Sequence, residues 1–167
     1  MIIEIISHTP LYVWALLGLL LQRSWNARKT HVNSWQSLII MPVIMLTWSI
    51  YSTVTHYESL SLYLWAASTA MGVWLGSLTV RKLPLRFDKE KNLIEIAGNW
   101  TPMILSMSIF SLRYFIGTTY SLYPDLKGNP ILLALENAAS AIAGMFMGRL
   151  LGYWRRSKTA PAATLER

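Results

Sequence analysis

Two residues of opposite charge stand inside long apolar stretches of this chain of 167 residues. Arg113 lies within Met103–Tyr123, and Glu136 lies in the next apolar stretch. A charge at membrane depth costs a few kcal/mol unless a partner compensates it. At 1.5 Å of rise per residue, the depths of the two residues differ by only about 5 Å. Arginine and carboxylate can form two parallel hydrogen bonds, so the sequence predicts a polar centre built on this pair.

Three interpretations of the pair remain open at this point. It can be a structural ion pair between two helices, a site for a ligand, ion or proton, or two charges that snorkel toward water. Asn137 follows Glu136 and can supply another hydrogen bond, and His8 can lie at the outer mouth of a bundle. The candidate ligand- or ion-binding residues are Arg113, Glu136, Asn137 and His8.

Composition places these residues in a membrane protein. The chain is 53% hydrophobic and only 14% charged, whereas soluble domains carry about 25% charged residues. The absence of cysteine excludes disulfides, thiolate metal sites and cysteine nucleophiles. No Ser–His–Asp set, phosphate loop or carboxylate dyad stands out, so we predict no catalytic residue, no metal site and no cofactor.

The predicted fold is all-α and integral to the membrane, with five transmembrane helices. One N-terminal helix precedes two parallel two-helix repeats, all within a single domain over 1–158, and 159–167 form a disordered cytoplasmic tail. The predicted spans are 10–23, 35–55, 60–80, 102–123 and 130–154. Lysine and arginine follow the first, third and fifth spans, which predicts an outer N-terminus and a cytoplasmic C-terminus.

The stretch 83–97 predicts a short β-hairpin on the cytoplasmic face. Apolar residues alternate with polar ones on both sides of the polar turn Lys89–Asn92. An isolated hairpin is marginal in water, so its apolar face must rest on helix ends, lipid or another subunit. We favour a plain connector over a docking or gating flap, because most loops are simple connections.

The third and fifth spans share a pattern of small residues at a constant offset of 72 positions. Ala66-Ala67-Ser68 matches Ala138-Ala139-Ser140, and the glycines that follow keep the same spacing. The predicted helix-packing residues are Ser68, Gly72, Gly76, Ser140, Gly144, Gly148 and Gly152. Such ridges let helix backbones approach closely in lipid, either within one subunit or between copies in a homo-oligomer. The pattern also indicates a duplicated hairpin, in which only the second copy carries Arg113 and Glu136. The alternative is convergence, because apolar helices use few residue types.

The basic loops predict contact with anionic lipid in the bilayer. Nucleic-acid binding is not expected, because the net charge of +7 is divided among separate loops and no reading helix accompanies it.

Three segments resemble a family of small bacterial inner-membrane proteins designated only as a domain of unknown function. They are Ile6–Trp14, Gly98–Pro102 and Phe110–Tyr114. The chain is also distantly similar to CcdC-like membrane proteins, although it has no cysteine and no evident haem ligand pair. The resemblance implies a bacterial inner-membrane location and supplies no catalytic residues.

Two functions are therefore expected. The first is binding or translocation of a small polar or anionic solute or ion at the Arg113–Glu136 centre. The alternative is a non-catalytic accessory or assembly factor for a cell-envelope complex, which small size and the inner-face hairpin favour. A membrane enzyme ranks third, because few polar groups converge.

Overall fold

A computed structural model of the chain describes residues 18, 22, 25, 30–56, 59–88, 91–126 and 128–159. Within these residues the chain forms four long α-helices and one small antiparallel sheet. The helices are α1 (Trp35–His56), α2 (Ser59–Val80), α3 (Thr101–Leu122) and α4 (Pro130–Thr159). The strands are β1 (His31–Ser34), β2 (Leu85–Asp88) and β3 (Leu93–Ile96), and a short 3-10 turn at Pro124–Leu126 joins α3 to α4.

The prediction of five transmembrane helices is wrong. In the described part of the chain, only α4, over Pro130–Lys158, is both long enough and apolar enough to cross a membrane. α2 and α3 each have 22 residues, so length is not what they lack. In α1 the apolar stretch is Trp35–Tyr51, which is shorter than a membrane span. The predicted span 10–23 falls almost wholly outside the described residues.

Hydroxyl groups, aromatic polar groups and one charge explain why α2 and α3 are not apolar enough to be candidate spans. α2 carries Ser68, Thr69, Ser77 and Thr79 along its length, and α3 carries Arg113 among several serines and threonines. Each such residue lowers the apolarity of its segment, because its polar atoms lose water hydrogen bonds in hydrocarbon. The predicted number of spans was too high because these polar residues were taken to be compatible with a transmembrane helix.

The central helix of the bundle is α4, which packs against α1, α2 and α3. Its most extensive contact is with α2, and the two helices run in the same direction, since Thr69 meets Gly144 and Val73 meets Gly148. Glycine permits this approach. A methyl group at Gly144 or Gly148 would overlap the backbone carbonyl of the opposing residue on α2.

The α2–α4 contact is symmetric in its residues. Gly72 on α2 meets the backbone of Ala141, three positions before Gly144, and Gly144 meets the backbone of Thr69, three positions before Gly72. Gly76 and Gly148 exchange contacts with Met145 and Val73 in the same way. The predicted glycine ridges therefore face each other inside one chain.

The predicted hairpin forms as β2 and β3, but it belongs to a three-stranded sheet. β3 lies in the middle, and β1, which was not predicted, pairs antiparallel with its other edge. Phe87 opposes Ile94 across the β2–β3 ladder, and both are buried. These side chains pack with Val80 and Tyr153, so the apolar face of the sheet rests on the carboxyl ends of α2 and α4.

Two arginines of α4 hold the carboxyl end of α2. Arg156 Nη1 donates to the carbonyl oxygens of Val80 and Leu83. Arg149, which is 3% exposed, donates to the hydroxyls of Thr79 and Tyr153. The last carbonyls of a helix have no partner within the helix and carry its negative dipole end, so cationic donors stabilise this terminus. Arg149 is thus buried, with its guanidinium directed to the end of α2.

Asparagine side chains accept the first free N–H groups of α3 and α4. Asn129 caps α4, because its Oδ1 accepts the N–H of Ile131 at 2.8 Å. At α3 the acceptor is Asn99, which receives the N–H of Thr101 at 3.1 Å. Pro42 lies within α1 and does not mark its beginning.

Candidate functional site

Arg113 and Glu136 meet between α3 and α4. Arg113 Nη1 donates to Glu136 Oε2 at 2.6 Å. The Glu136 side chain is 4% exposed and the Arg113 side chain 20%, so the glutamate is enclosed while the arginine reaches the edge of the bundle. Charge-assisted hydrogen bonds of this length are the strong ones, and low-dielectric surroundings strengthen them further.

The helical period puts both residues in the contact between their helices. The buried side chains Leu105, Ile109 and Ile116 form one stripe of α3, and Arg113 falls in the same stripe at a spacing of three and four residues. On α4, Glu136 lies one turn from the buried Leu132. Each charge therefore occupies a position where the periodicity of its helix calls for an apolar side chain.

The guanidinium of Arg113 retains unused donor capacity. Its Nη2 atom is buried and has no hydrogen-bond partner. A buried donor without an acceptor costs about 1–3 kcal/mol, and more if it is charged. An acceptor placed beside Nη2 would recover that energy, which gives the site an intrinsic preference for a ligand that carries oxygen.

A chain of hydrogen bonds leads from Glu136 to the other side of α4. Ser140 Oγ donates to the Glu136 backbone carbonyl at 2.8 Å and lies 2.9 Å from Ser49 Oγ. Trp65 Nε1 donates to Ser49 Oγ at 3.0 Å. Each hydroxyl has one proton, so the chain is satisfied when Trp65 donates to Ser49, Ser49 to Ser140, and Ser140 to Glu136.

These bonds bring three helices onto the segment of α4 that holds Glu136. Ser49 comes from α1, Trp65 from α2 and Arg113 from α3. Satisfied polar networks in a low-dielectric interior fix the arrangement of the elements that carry them. We therefore describe the candidate site as the Arg113–Glu136 pair together with the supporting Ser49–Ser140–Trp65 network.

Asn137 is not part of the pair, contrary to the expected extra hydrogen bond. Its Oδ1 accepts from Ser68 Oγ at 3.3 Å, and its Nδ2 donates to the Leu133 carbonyl at 2.8 Å. Consecutive residues of a helix do not face the same side, so Asn137 faces α2 while Glu136 faces α3. His8 lies outside the described residues. The glycines of the α2 and α4 ridges lie in the contact between these two helices. Of the other predicted ridge residues, Ser140 belongs to the network beside Glu136, and Ser68 donates to Asn137.

Sequence reasoning missed Ser49, Thr53 and Trp65 as parts of the buried network. Ser49 is fully buried, and its backbone carbonyl also accepts the Thr53 hydroxyl at 3.1 Å. The available signal was the spacing of Ser49 and Thr53, one helical turn apart on one face of an apolar helix. Serine and threonine are common in apolar helices for packing alone, so that signal does not specify a network.

Among the described residues, no group of three or more His, Cys, Asp or Glu side chains is placed to hold a metal ion. Comparison of the chain with protein-family models, with curated proteins and with solved structures finds no match.

Proposed function

We propose that this chain is a small membrane protein that binds a small anion, a carboxylate or a phosphate, at Arg113. The observation that carries the proposal is the buried Nη2 of Arg113, which has no acceptor while Nη1 holds Glu136. Planar guanidinium groups match the geometry of carboxylate and phosphate oxygens, so a second acceptor of this class fits the unused donor.

Glu136 has the role of an internal counter-ion in this proposal. It is enclosed by α3 and α4, and its backbone carbonyl accepts the Ser140 hydroxyl, so it balances the charge of the arginine and orients the guanidinium. The partial exposure of Arg113 gives an anion a route from the edge of the bundle. Because Nη2 is buried, an anion reaches it only when the side chains around it move aside.

The exposed apolar surface supports the membrane location. Large apolar side chains with more than half of their surface exposed occur on α1, α2 and α3; examples are Ile40, Met71, Trp74 and Ile104. Monomeric soluble proteins rarely expose apolar patches of this extent, whereas lipid-facing surfaces consist of them. α4 is the candidate span and lies among these helices. The bacterial inner membrane remains a prediction from the family resemblance. Transport remains a prediction from the Arg113–Glu136 pair, and oligomerisation one from the glycine ridges.

The experiment is a thermal unfolding titration of the full chain in detergent micelles. Sodium phosphate and sodium acetate serve as probes, each compared with sodium chloride at equal ionic strength. A ligand that binds only the folded state stabilises it by about 2.7 kcal/mol at a concentration 100-fold above Kd. We expect at least one of the two anions to raise the Tm of the wild-type chain above its value in chloride.

The decisive variant is the double substitution Arg113→Leu/Glu136→Leu. It removes both charges together, so no buried charge is left without its partner, and the fold is expected to persist. Its Tm should not respond to phosphate or acetate. Arg155→Gln is the matched control, because it removes an exposed arginine far from the site and should respond as the wild type does.

Two results would contradict the proposal. One is a wild-type Tm that is the same in phosphate, acetate and chloride. The other is an equal anion response in the wild type and in the double leucine variant, which would place the binding elsewhere. In either case, Arg113 and Glu136 would be a structural ion pair that holds α3 against α4.

A further inference from the structure

Among the residues that the structure describes, the exposed basic side chains are concentrated at one end of the bundle. The exposed lysines and arginines of the described residues all lie near the carboxyl ends of α2 and α4 or on the sheet that covers them; they are Arg81, Lys82, Arg86, Lys91, Arg155 and Lys158. The contact of Arg156 with Val80 and Leu83 ties these segments together. The result is one continuous basic end.

Acidic groups do little to neutralise this end. Among the described residues, Asp88 is buried and accepts the N–H of Lys91, and Glu95 lies 3.9 Å from Arg86. The exposed Asp125 follows α3, a helix of 22 residues that starts beside the sheet, so it lies about 33 Å from the basic end at 1.5 Å per residue. The charge is therefore strongly asymmetric along the bundle.

Two exposed tryptophans lie at the boundary between the basic end and the apolar body. Trp100 immediately precedes α3, and Trp154 lies near the end of α4, each with about half of its surface exposed. The Lys158 ammonium lies 3.7 Å from the centre of the Trp154 ring. Indole rings favour the headgroup region of a bilayer, where an apolar ring meets a polar layer.

We propose that this basic end is a docking surface for a bilayer leaflet rich in anionic phospholipid headgroups. The arrangement provides three matching zones, namely exposed cations for the phosphates, indoles for the headgroup boundary, and apolar helix faces for the acyl chains. Juxtamembrane lysines and arginines are attracted to anionic lipid, each by roughly a fivefold change in affinity. This inference rests on the membrane location given under the proposed function, but not on anion binding at Arg113.

The test uses lipid-specific fluorescence quenching of the full chain, reconstituted in vesicles of equal parts phosphatidylglycerol and phosphatidylcholine. Bromine is placed on the acyl chains of only one of the two lipids at a time. The ratio of tryptophan quenching by brominated phosphatidylglycerol to that by brominated phosphatidylcholine then reports which lipid is enriched around the protein. We expect brominated phosphatidylglycerol to quench more strongly than brominated phosphatidylcholine. The difference should shrink as salt is raised, because exposed charges are screened beyond about 10 Å at 0.1 M ionic strength.

The test variant replaces Arg81, Lys82, Arg155 and Lys158 with glutamine. All four side chains are exposed, so the fold should persist, and the quenching ratio should fall toward one. The matched control exchanges lysine and arginine at the same four positions, which keeps the charge and should keep the preference for phosphatidylglycerol.

The outcomes separate this inference from the proposed function. Equal quenching by the two lipids in the wild-type chain would overturn the docking surface and leave the membrane location intact. A preference that survives in the glutamine variant would also overturn it, because other residues would then recruit the lipid. Absence of quenching by both lipids would remove the membrane location itself, and the docking surface with it.

Discussion

Replacing Gly144 with alanine should weaken the packing of α2 against α4. The added methyl group would overlap the backbone carbonyl of Thr69, and a backbone atom cannot move without separating the two helices. Overpacking of this kind costs about 1–3 kcal/mol and occasionally more. Alanine also gains about 1 kcal/mol over glycine in helix propensity, which offsets part of that cost.

Gly117 provides a matched control for the propensity term. It lies inside α3, and a methyl group there would meet no atom within 4 Å. Gly117→Ala should therefore stabilise the chain by about 0.5–1 kcal/mol. Both substitutions gain the same stabilisation from the helix propensity of alanine. The difference between their free energies of unfolding therefore gives the cost of the steric overlap at Gly144, which we expect to be about 1–3 kcal/mol or more.

The assay is equilibrium unfolding of the full chain in detergent micelles, followed by far-ultraviolet circular dichroism. The double variant Gly72→Ala/Gly144→Ala adds a further test. The two glycines contact opposite sides of one interface, so once the helices have separated, the second methyl group should cost less than it does alone. Equal effects of Gly144→Ala and Gly117→Ala, or strict additivity of the double variant, would refute the close-packed α2–α4 contact.

Three further predictions concern single side chains, each measured as a change in the free energy of unfolding in the same assay. Ser49→Ala should destabilise the chain by about 1–3 kcal/mol, because the half-buried Trp65 indole N–H loses its acceptor and the buried Ser140 hydroxyl loses its partner. Ser77→Ala removes only a bond to its own helix and should stay near zero. Arg156→Gln should cost about 1.5–3 kcal/mol through the lost charge-assisted bonds to the end of α2, and Arg155→Gln, an exposed neighbour, should cost less than about 0.5 kcal/mol. Asn92 has a φ of 52°, so Asn92→Val should cost about 1–2 kcal/mol, whereas Asn92→Gly should be tolerated. Equal stability of these two variants would contradict the left-handed turn.

Local patterns in the sequence predicted local features of the fold. The alternation around the turn after Asp88 identified β2 and β3, because a hairpin pairs segments that are adjacent in the chain. The strand β1 was missed, since its four residues pair with β3 from more than fifty positions away and carry no clear alternation. The count of spans failed for a different reason, namely that the hydroxyl groups of α2 and α3 lower the apolarity of those helices and the apolar stretch of α1 is short.

The sequence likewise predicted only part of the candidate site. The depths of Arg113 and Glu136 follow from helix rise, so their proximity could be anticipated, and the structure places them in contact. Asn137 could not be placed by its neighbourhood in the sequence, because an adjacent helical residue faces another direction. Ser49 and Trp65 belong to other helices, and only the packing of those helices brings their polar atoms to Ser140.

The sequence by itself determined which groups need partners, namely one arginine and one glutamate in apolar stretches, glycines at every fourth position and scattered hydroxyls. These requirements follow from residue type and helical period alone. Tertiary structure decided which partners they receive. The glycine ridges of α2 and α4 meet each other within one chain, Arg149 turns inward to the end of α2, and the nitrogen Nη2 of Arg113 stays without an acceptor. Each of these outcomes depends on which helix faces meet, and close packing of whole faces selects that arrangement.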